Sequence, residues 1–379
     1  MENNIRFLHT ADLHLGAELS NLKEQSAERN AEMLLCLERI FALAKNEGAS
    51  LLLIAGDLFE NNSVPKAIFN TFLNCVETNS NITVVFAAGN HDPLTADSPF
   101  LTHTLPQNLL VLDTQDCILE PENLPVRIYG KSFKSIYEQG SNSFSLPVIK
   151  DEKINIMVLH AELGSVTNGN YNPITRNFLE TSGMDYIALG HIHAFSGVEK
   201  IGSTHFCYSG TPEPHGFDEG GIKGVVLGEF TGKTLKTKFI ETAERSFNTV
   251  NVDISDKQNS AEAAEQILAV LRERYGQSFG KNFYKIILDG FVGENANFNN
   301  TEILKRISPF VYYAKIRNNT KIKVDLNVLK NENSLKGIFV KTMLKKIESE
   351  TDSFNKEKLE KALYLGLSAF NAEVNLVEN

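Results

Sequence analysis

The chain has 379 residues, of which 42% are hydrophobic and 22% are charged, and its formal net charge is −10. A chain of this length and composition forms two or three globular domains, which excludes both a disordered protein and a small scaffold held by disulfides. Its four cysteines are widely spaced and form no C-x-x-C pair, so they support neither a zinc ribbon nor a disulfide framework and predict a reducing, cytoplasmic location.

Short apolar runs alternate with helical periodicity over the first 245 residues, which predicts an α/β domain. The predicted strands cover residues 5–10, 51–55, 82–88, 154–159, 186–189, 206–209 and 224–229. The predicted helices cover residues 26–46 and 65–77. Several of these strands end in a short polar loop. Ligand sites in open α/β sheets lie beyond the carboxyl ends of the strands, so these loops are the candidates for a functional site.

The sequence pattern changes near residue 245. Two strands at 249–254 and 283–291 and two helices at 261–275 and near 301–307 predict a small α+β domain. Two amphipathic stretches at 335–349 and 356–370 predict terminal helices. We therefore predict three segments, which cover residues 1–245, 246–331 and 332–379.

The charge is unevenly distributed between the two parts of the chain. Residues 1–245 contain 18 basic and 30 acidic side chains, whereas residues 246–379 contain 19 and 17. Within the second part, residues 305–346 contain 11 basic and 2 acidic side chains. A basic stretch of this kind can contact a nucleic-acid backbone, and it can equally be a solvated surface.

Side chains that can bind metal ions follow the predicted strands in five short blocks. In chain order the blocks are D-L-H at 12–14, G-D-L at 56–58, G-N-H-D at 89–92, H-A-E at 160–162 and G-H-I-H at 190–193. One such block occurs often by chance, but an ordered set that follows apolar strands predicts a metal site where the loops converge. The candidate residues are Asp12, His14, Asp57, Asn90, His91, His160, His191 and His193.

This ordered set resembles the calcineurin-like metallophosphoesterases. The blocks H-T-A-D-L-H-L-G at 9–16, G-D-L-F at 56–59 and Y-S-G-T-P-E-P-H-G-F-D-E at 208–219 are similar to the SbcD-type DNA repair exonucleases, in particular their YhaO-like branch. The resemblance implies an α/β fold in which residues 1–245 form a nuclease domain, a β-sandwich flanked by helices. It also implies a small α+β capping domain at 246–331 and C-terminal helices at 332–379.

The resemblance also implies two divalent metal ions, with manganese expected and magnesium, iron or zinc as alternatives. One ion would be bound by Asp12, His14, Asp57 and His193, and the other by Asp57, Asn90, His160 and His191. Asp57 would bridge the two ions. Two metals about 3.5–4 Å apart lower the pKa of a shared water and hold a phosphodiester for in-line attack.

The remaining imidazole, His91, would contact the phosphate and assist the leaving oxygen as a general acid. We expect Asp92 to form a hydrogen bond with His91 and to favour its protonated form. The alternative is that His91 only orients a metal ligand. Glu60 stands where many SbcD-type sequences have Asp, and His215 is either a substrate contact or an ordinary loop residue.

The leading interpretation is a metal-dependent DNA nuclease that works in DNA repair with an SbcC-like coiled-coil ATPase. The same metal ligands serve enzymes that act on cyclic nucleotides or other small phosphoesters, and a non-catalytic scaffold is a further alternative. Lys131, Lys134 and Arg176 are candidate phosphate contacts near the site. No Walker A pattern is present, so any ATP dependence would come from the partner, and homodimer formation stays open.

We expect neither a secretory leader nor a membrane partner, because the first residues are polar and no apolar run approaches about 20 residues. The terminal helices carry two apolar stripes. The stripes consist of Leu335, Ile338, Phe339, Met343 and Ile347 on one helix and of Leu359, Leu363, Leu367 and Phe370 on the other. These stripes either pack on the capping domain or dock into the coiled coil of the ATPase.

Overall fold

The computed structural model describes residues 4–19, 22, 25–138, 147–164, 170–293, 295–323 and 325–370. The chain divides into two compact units, Met1–Ser246 and Phe247–Asn379. Residues 371–379 of the third predicted segment lie outside the described residues, and the division into three segments stays a prediction.

The first unit is built from twelve strands and four helices within the described residues. The strands are β1 (Asn4–Thr10), β2 (Leu51–Ala55), β3 (Thr83–Ala87), β4 (Leu109–Val111), β5 (Cys117–Leu119), β6 (Val126–Gly130), β7 (Ile154–His160), β8 (Tyr186–Gly190), β9 (Glu199–Ile201), β10 (Thr204–Tyr208), β11 (Gly224–Thr231) and β12 (Thr234–Glu241). The helices are α1 (Ser26–Asn46), α2 (Lys66–Thr78), α3 (Pro99–Thr102) and α4 (Arg176–Thr181).

Two six-stranded sheets face each other in this unit. One sheet has the order β12-β11-β1-β2-β3-β4 and the other has the order β5-β6-β7-β8-β10-β9. Apolar side chains of both sheets form the core between them, including Phe7 and Leu53 from the first sheet and Ile156 and Ala188 from the second. The sandwich flanked by helices that the resemblance implied is therefore confirmed.

The strands that carry the metal-binding blocks run parallel to one another within each sheet. β1, β2 and β3 run parallel in the first sheet, and β7 and β8 run parallel in the second. All five residues of β2 are buried, and so are all seven of β7, as expected for strands that are covered on both faces. Parallel strands expose their carboxyl ends at the same edge, so the polar loops that follow them can meet.

The second unit contains a parallel three-stranded sheet of order β13-β14-β16. Its elements are β13 (Phe247–Asp253), α5 (Ser260–Tyr275), β14 (Phe283–Asp289), β15 (Phe291–Val292), α6 (Asn300–Ile307), β16 (Tyr313–Asn318), β17 (Lys321–Ile322), α7 (Leu326–Leu329), α8 (Leu335–Ser349) and α9 (Ser353–Ala369). The predicted strand at 283–291 is divided at Gly290, whose φ is +109°, a conformation that favours glycine. Asn259 and Asn299 cap α5 and α6 by accepting hydrogen bonds from the first backbone amides.

The two terminal helices, α8 and α9, pack against each other. Leu363 and Leu367 of α9 are buried together with Val340 and Ile347 of α8. The predicted stripe on α8 is only partly covered, because Leu335 is 74% and Ile338 is 62% exposed. Within the described residues, no helix combines the length and apolar character that crossing a bilayer requires.

Candidate metal centre

Each of the five sequence blocks lies at the carboxyl end of a strand in the first unit. Asp12 and His14 follow β1, Asp57 follows β2, and Asn90, His91 and Asp92 follow β3. His160 is the last residue of β7, and His191 and His193 follow β8. Most of these residues are buried or half-buried: the exposed fraction is 0% for Asp12 and His160, and 2% for Asp57. Buried carboxylates and imidazoles in one place need partners of opposite charge.

Four of these candidate ligands have unusual backbone conformations. The φ angles are +54° at Asp12, +44° at His14, +49° at Asp57 and +104° at His191. A non-glycine residue in this region carries backbone strain, and such residues cluster at functional sites. Because the strain occurs at the residues that the sequence blocks single out, we infer that the loops are shaped to direct these side chains inward.

Two glycines leave the space that the ligand groups occupy. A Cβ atom at Gly56 would lie 2.3 Å from His160 Nδ1, and one at Gly89 would lie 2.2 Å from Asp57 Oδ1. Gly56 also has a φ of +88°. The glycines of the G-D-L and G-N-H-D blocks are therefore required because a side chain there would displace the ligand of a neighbouring block.

The inner part of the centre is formed around His160. Its Nδ1–H donates to the Ala55 carbonyl oxygen at 2.9 Å, which fixes the tautomer and turns Nε2 toward the other ligands. His160 Nε2 lies 3.2 Å from Asp57 Oδ2 and 3.0 Å from Asn90 Oδ1. An imidazole nitrogen, a carboxylate oxygen and an amide oxygen thus converge on one point, as in sites for divalent ions.

The outer part of the centre is formed by His14 and His193. Each imidazole donates its Nδ1–H to a carboxylate, His14 to Glu60 at 2.9 Å and His193 to Glu219 at 2.5 Å. Their Nε2 atoms then face each other at 3.2 Å. Two nitrogen lone pairs at this distance repel each other unless a cation or a proton lies at this point, so the donor set fits a metal ion.

Asp12 and Asp57 connect the inner and outer parts. His160, Asp12 and Asp57 form one group of ligand atoms within 4.8 Å of one another, and Asp12, His14 and His193 form a second. Backbone amides also hold the two carboxylates: His191 N–H donates to Asp12 at 3.0 Å, and His91 N–H donates to Asp57 at 2.9 Å. Two adjoining groups that share Asp12 are what a pair of neighbouring ions requires.

His191 is not part of these two groups. Its ring lies against His160 and Tyr171, with centroid distances of 5.2 and 4.7 Å. Burial, together with the nearby charge of His160, lowers the pKa of His191 to about 4, so the ring is neutral at physiological pH and one of its two nitrogens has a free lone pair. Its predicted role as a ligand stays a prediction.

His91 pairs with Glu60 and not with Asp92, so the expected hydrogen bond between Asp92 and His91 is wrong. Asp92 points inward and accepts hydrogen bonds from the backbone amides of Gly89 and Phe59, at 2.8 and 3.1 Å. Its side chain therefore ties together two of the ligand loops, and it is 1% exposed. The Phe59 ring packs on an aromatic cluster below the loop, which includes Phe69.

Glu60 lies between the two imidazoles of His14 and His91. His91 Nδ1–H donates to the Glu60 carbonyl oxygen at 3.1 Å and lies 3.6 Å from its carboxylate. The Glu60 carboxylate outweighs the effect of burial and raises the pKa of His91 to about 9. Burial opposes ionisation of Glu60, yet hydrogen bonds from His14 and His91 lower its pKa to about 2. Glu60, and not Asp92, therefore stabilises the protonated form of His91.

The charges of the buried groups explain why the centre favours cations. Burial would lower the pKa of His160, but the carboxylates of Asp57 and Asp12 outweigh this and raise it to about 9. The imidazolium is thus the counter-charge of two buried carboxylates in the protein alone. Divalent ions would take over this function and release the proton, which couples metal binding to pH.

Sequence reasoning missed the part played by Glu219 and left that of His215 open. Glu219 accepts hydrogen bonds from the Nδ1–H groups of His193 and His215, the latter at 3.1 Å, and His215 Nε2 lies 3.2 Å from the Leu13 carbonyl oxygen. The block at 208–219 contained the signal, because it ends in H-G-F-D-E. Which imidazole the final carboxylate would contact depends on distant loops and could not be predicted.

We expect Glu219→Gln to weaken metal binding about 10- to 100-fold, because the carboxamide keeps the shape of the side chain but cannot hold two imidazoles as a charged acceptor. Titration calorimetry of metal-stripped protein with Mn²⁺ would measure the affinity. The matched control is Glu199→Gln, since Glu199 is an exposed carboxylate that pairs with Arg176 at 3.2 Å. An unchanged affinity in the Glu219 variant would contradict this role.

Three lysine and arginine side chains were predicted as phosphate contacts. Arg176 forms its ion pair with Glu199, and Lys131 lies 3.7 Å from the carboxylate of Glu138. Lys134 is exposed. Their predicted contacts with substrate stay predictions.

Comparison with known proteins identifies relatives of the chain. The family model described as Calcineurin-like phosphoesterase matches residues 5–195. The uncharacterized metallophosphoesterase YhaO of Bacillus subtilis (strain 168) is 27% identical over 274 residues, which is 68% of this chain and 65% of that protein. The DNA double-strand break repair protein Mre11 of Methanopyrus kandleri is 29% identical over 65% of this chain and 59% of that protein.

A third relative is the SbcD subunit of the nuclease SbcCD from Bacillus subtilis (strain 168), which is 26% identical over 59% of this chain and 66% of that protein. The matches span about three fifths to two thirds of the length of these relatives. They confirm the resemblance that the sequence blocks indicated, including its SbcD and YhaO branch.

Proposed function

The chain belongs to the calcineurin-like phosphoesterase family, whose model covers half of its residues, and on this basis we propose that it is a metal-dependent DNA nuclease. The observation that carries the proposal is that two adjoining groups of ligand atoms share the buried carboxylate of Asp12, while Asp57 of the inner group lies 3.8 Å from His14 of the outer group. This family uses divalent metals, and the donor atoms of both groups suit them.

In this proposal, one ion would be held by Asp12, His14, Asp57 and His193, and the other by Asp57, Asn90, His160 and His191. Asp57 would be the ligand common to both. Mixed imidazole and carboxylate ligands are compatible with manganese, magnesium, iron and zinc. We propose manganese as the ion, and the other three are the alternatives. When bound, such a pair lowers the pKa of water and clamps the oxygens of a phosphodiester.

The protein side chains supply the remaining chemistry. Glu60 and Glu219 orient His14 and His193 so that each presents Nε2. His91 is protonated at neutral pH because of its contact with Glu60, so it can donate a proton to the leaving oxygen of the phosphodiester. The imidazole is 39% exposed and can therefore meet a substrate that arrives from solvent.

DNA is proposed as the substrate because two relatives are named for DNA repair and nuclease activity and because residues 305–346 are strongly basic. Exonuclease action in DNA repair is the finer form of this proposal. The acidity of residues 1–245 favours the alternative, a phosphoesterase that acts on a cyclic nucleotide or another small phosphodiester.

The test is hydrolysis of single-stranded and duplex DNA, of a cyclic nucleotide and of a chromogenic phosphodiester by purified protein. Each substrate is assayed with Mn²⁺, Mg²⁺, Zn²⁺ or a chelator. Metal-dependent cleavage of DNA supports the nuclease. Cleavage of the small esters alone supports the alternative, and binding of metal without any hydrolysis supports the non-catalytic scaffold.

We also propose that the terminal helices bind an SbcC-like coiled-coil ATPase. The apolar side chains of Leu335 and Ile338 on α8 are exposed, although others of the same helix are buried against α9. Exposed apolar side chains on an amphipathic helix fit a helix-in-groove contact.

Deletion of residues 332–379 is expected to abolish binding to such an ATPase while metal-dependent cleavage of a small phosphodiester continues, because all candidate ligands lie in the first unit. A pull-down and the chromogenic assay measure the two properties. The double variant Leu335→Glu/Ile338→Glu tests the same contact without removing a helix, and Leu101→Glu, at a site that is 58% exposed, is its control. Retained ATPase binding in the deletion would refute the docking role, and loss of folding would favour a purely structural role.

A further inference from the structure

A row of aromatic rings leads from solvent to the candidate metal centre. The ring of Tyr171 lies 4.7 Å from that of His191, which lies 5.2 Å from that of His160. On the outer side, the ring of Tyr137 lies 5.8 Å from that of Tyr171. Tyr137 is 59% exposed and Tyr171 is half-buried, so the outer end of the row is accessible.

Backbone hydrogen bonds hold the two tyrosines in place beside the centre. Glu138 N–H donates to the Asn170 carbonyl oxygen at 2.9 Å, and Asn172 N–H donates to the Glu138 carbonyl oxygen at 3.0 Å. The Asn172 side chain is 3% exposed and donates to the His160 carbonyl oxygen at 3.0 Å. The backbone next to Tyr137 and the backbone next to Tyr171 are thus tied to each other and to the strand that carries His160.

The fold does not account for the exposure of these rings. Neither tyrosine hydroxyl forms a hydrogen bond with the part of the chain that the structure describes. Two further apolar side chains that adjoin members of this row in sequence are exposed, namely Ile136 next to Tyr137, at 58%, and Ile192 next to His191, at 39%. Single exposed apolar residues are ordinary, but exposed apolar side chains that adjoin a row of aromatic rings ending at a polar centre indicate a binding surface.

We propose that Tyr137 and Tyr171 form a stacking platform for the nucleobase next to the scissile phosphate, an inference that rests on the proposed nuclease function. A phosphodiester held at the metal centre places the adjoining base within a few ångströms of the centre. An exposed aromatic ring there covers one face of any base, because stacking does not depend on base identity. The platform would position the strand without reading its sequence.

The platform has a consequence for the kind of DNA that is bound. Both faces of a base within a duplex are already covered by its neighbours, so only an unpaired base can stack on the tyrosines. The enzyme should therefore prefer single-stranded DNA or a frayed end over an intact duplex. Stacking on an aromatic side chain strengthens binding about 5- to 100-fold per base.

The test compares a single-stranded oligonucleotide with the same oligonucleotide in which the residues around the cleaved bond are abasic. Tyr137→Leu and Tyr171→Leu remove the ring but keep apolar bulk, whereas Tyr137→Phe and Tyr171→Phe keep the ring. Leu101→Ala is the control variant, because Leu101 is an exposed residue outside the platform. Cleavage is measured as kcat/KM with Mn²⁺, and binding is measured by fluorescence anisotropy in chelator, where no hydrolysis is expected.

We expect each Leu variant to lose about 5- to 100-fold in kcat/KM and in affinity on the intact oligonucleotide and to match the wild type on the abasic one. The Phe variants should behave as wild type. If a Leu variant loses kcat/KM and affinity equally on the intact and the abasic oligonucleotide, the tyrosines only support His191, and the platform is overturned. If it loses neither on either oligonucleotide, the platform is overturned as well. If wild-type protein cleaves no DNA, the nuclease proposal fails. If the intact oligonucleotide then still binds more weakly to the Leu variants than to the wild type and the Phe variants, the platform is supported. If all of these proteins bind it equally, the platform is overturned together with the nuclease proposal.

Discussion

Asp57→Asn is expected to reduce metal-dependent hydrolysis to the uncatalysed level. Asp57 is 2% exposed, and its Oδ2 atom lies 3.2 Å from His160 Nε2 and 3.8 Å from His14 Nε2, so it belongs to both the inner and the outer part of the centre. A carboxylate can bridge two cations, whereas a neutral carboxamide cannot. The substitution therefore removes the one ligand that both proposed ions would share.

The fold should tolerate this substitution. The candidate ligands lie in loops beyond the strands, and the apolar core lies between the two sheets. The hydrogen bond from His91 N–H to Asp57 Oδ1 can be accepted equally by the amide oxygen of the substituted side chain. Circular dichroism of metal-stripped protein should therefore resemble that of the wild type, while the metal content measured after loading decreases.

His191→Ala is the companion variant. His191 is a proposed ligand, yet it belongs to none of the groups of ligand atoms that the described residues form. We expect it to abolish activity as well, and metal analysis will show whether an ion is lost with it. His103→Ala is the matched control, since His103 is an exposed imidazole on a different loop. Full activity of chelator-treated Asp57→Asn protein would refute the two-metal proposal.

The sequence predicted best those parts of the fold in which local pattern and burial agree. The predicted strand at 51–55 and helix at 26–46 coincide with β2 and α1. In contrast, β4, β5, β6, β9, β16 and β17 were not predicted. β5 and β9 have only three residues each and lie at the edges of their sheet, so they are specified mainly by their neighbours. β12 was also not predicted, because its residues are half-exposed and form a strand only by pairing with β11.

For the candidate site, the sequence predicted the loops but not the side-chain partners. The order of the blocks and the strands before them were enough to place seven candidate ligands at the carboxyl ends of the strands. The partner of His91 was wrong because Asp92, although adjacent in sequence, is turned toward the backbone amides of Gly89 and Phe59. Glu60 approaches His91 from the loop after β2, and a contact between loops has no signature in a single sequence.

His91→Ala is expected to slow DNA cleavage by about 10² to 10⁴-fold while both metals and DNA remain bound. The side chain contributes a proton in this proposal and no metal ligand. Its backbone N–H, which donates to Asp57, is unaffected by the substitution. Metal analysis and DNA binding separate this outcome from the loss of a ligand, and His103→Ala again serves as the matched imidazole control.

The leaving group provides a sharper test of the same assignment. A deoxyribose oxygen needs a proton to leave, whereas 4-nitrophenolate is stable as an anion. The His91→Ala variant should therefore lose far more activity on DNA than on a 4-nitrophenyl phosphodiester. Equal losses on the two substrates would mean that His91 only binds the phosphate, and a decrease in metal content would make it a ligand or the residue that orients one.

The contact with Glu60 predicts the pH dependence of this step. Because the pKa of His91 is raised to about 9, the imidazole keeps its proton through neutral pH and loses it as the pH rises through this value. The DNA cleavage rate of wild-type protein should then fall on the alkaline side near pH 9. In Glu60→Gln the carboxylate that stabilises the imidazolium is gone, so the alkaline decline should move to lower pH. In His91→Ala this decline should be absent, and an alkaline decline that is the same in all three proteins would assign it to a different group.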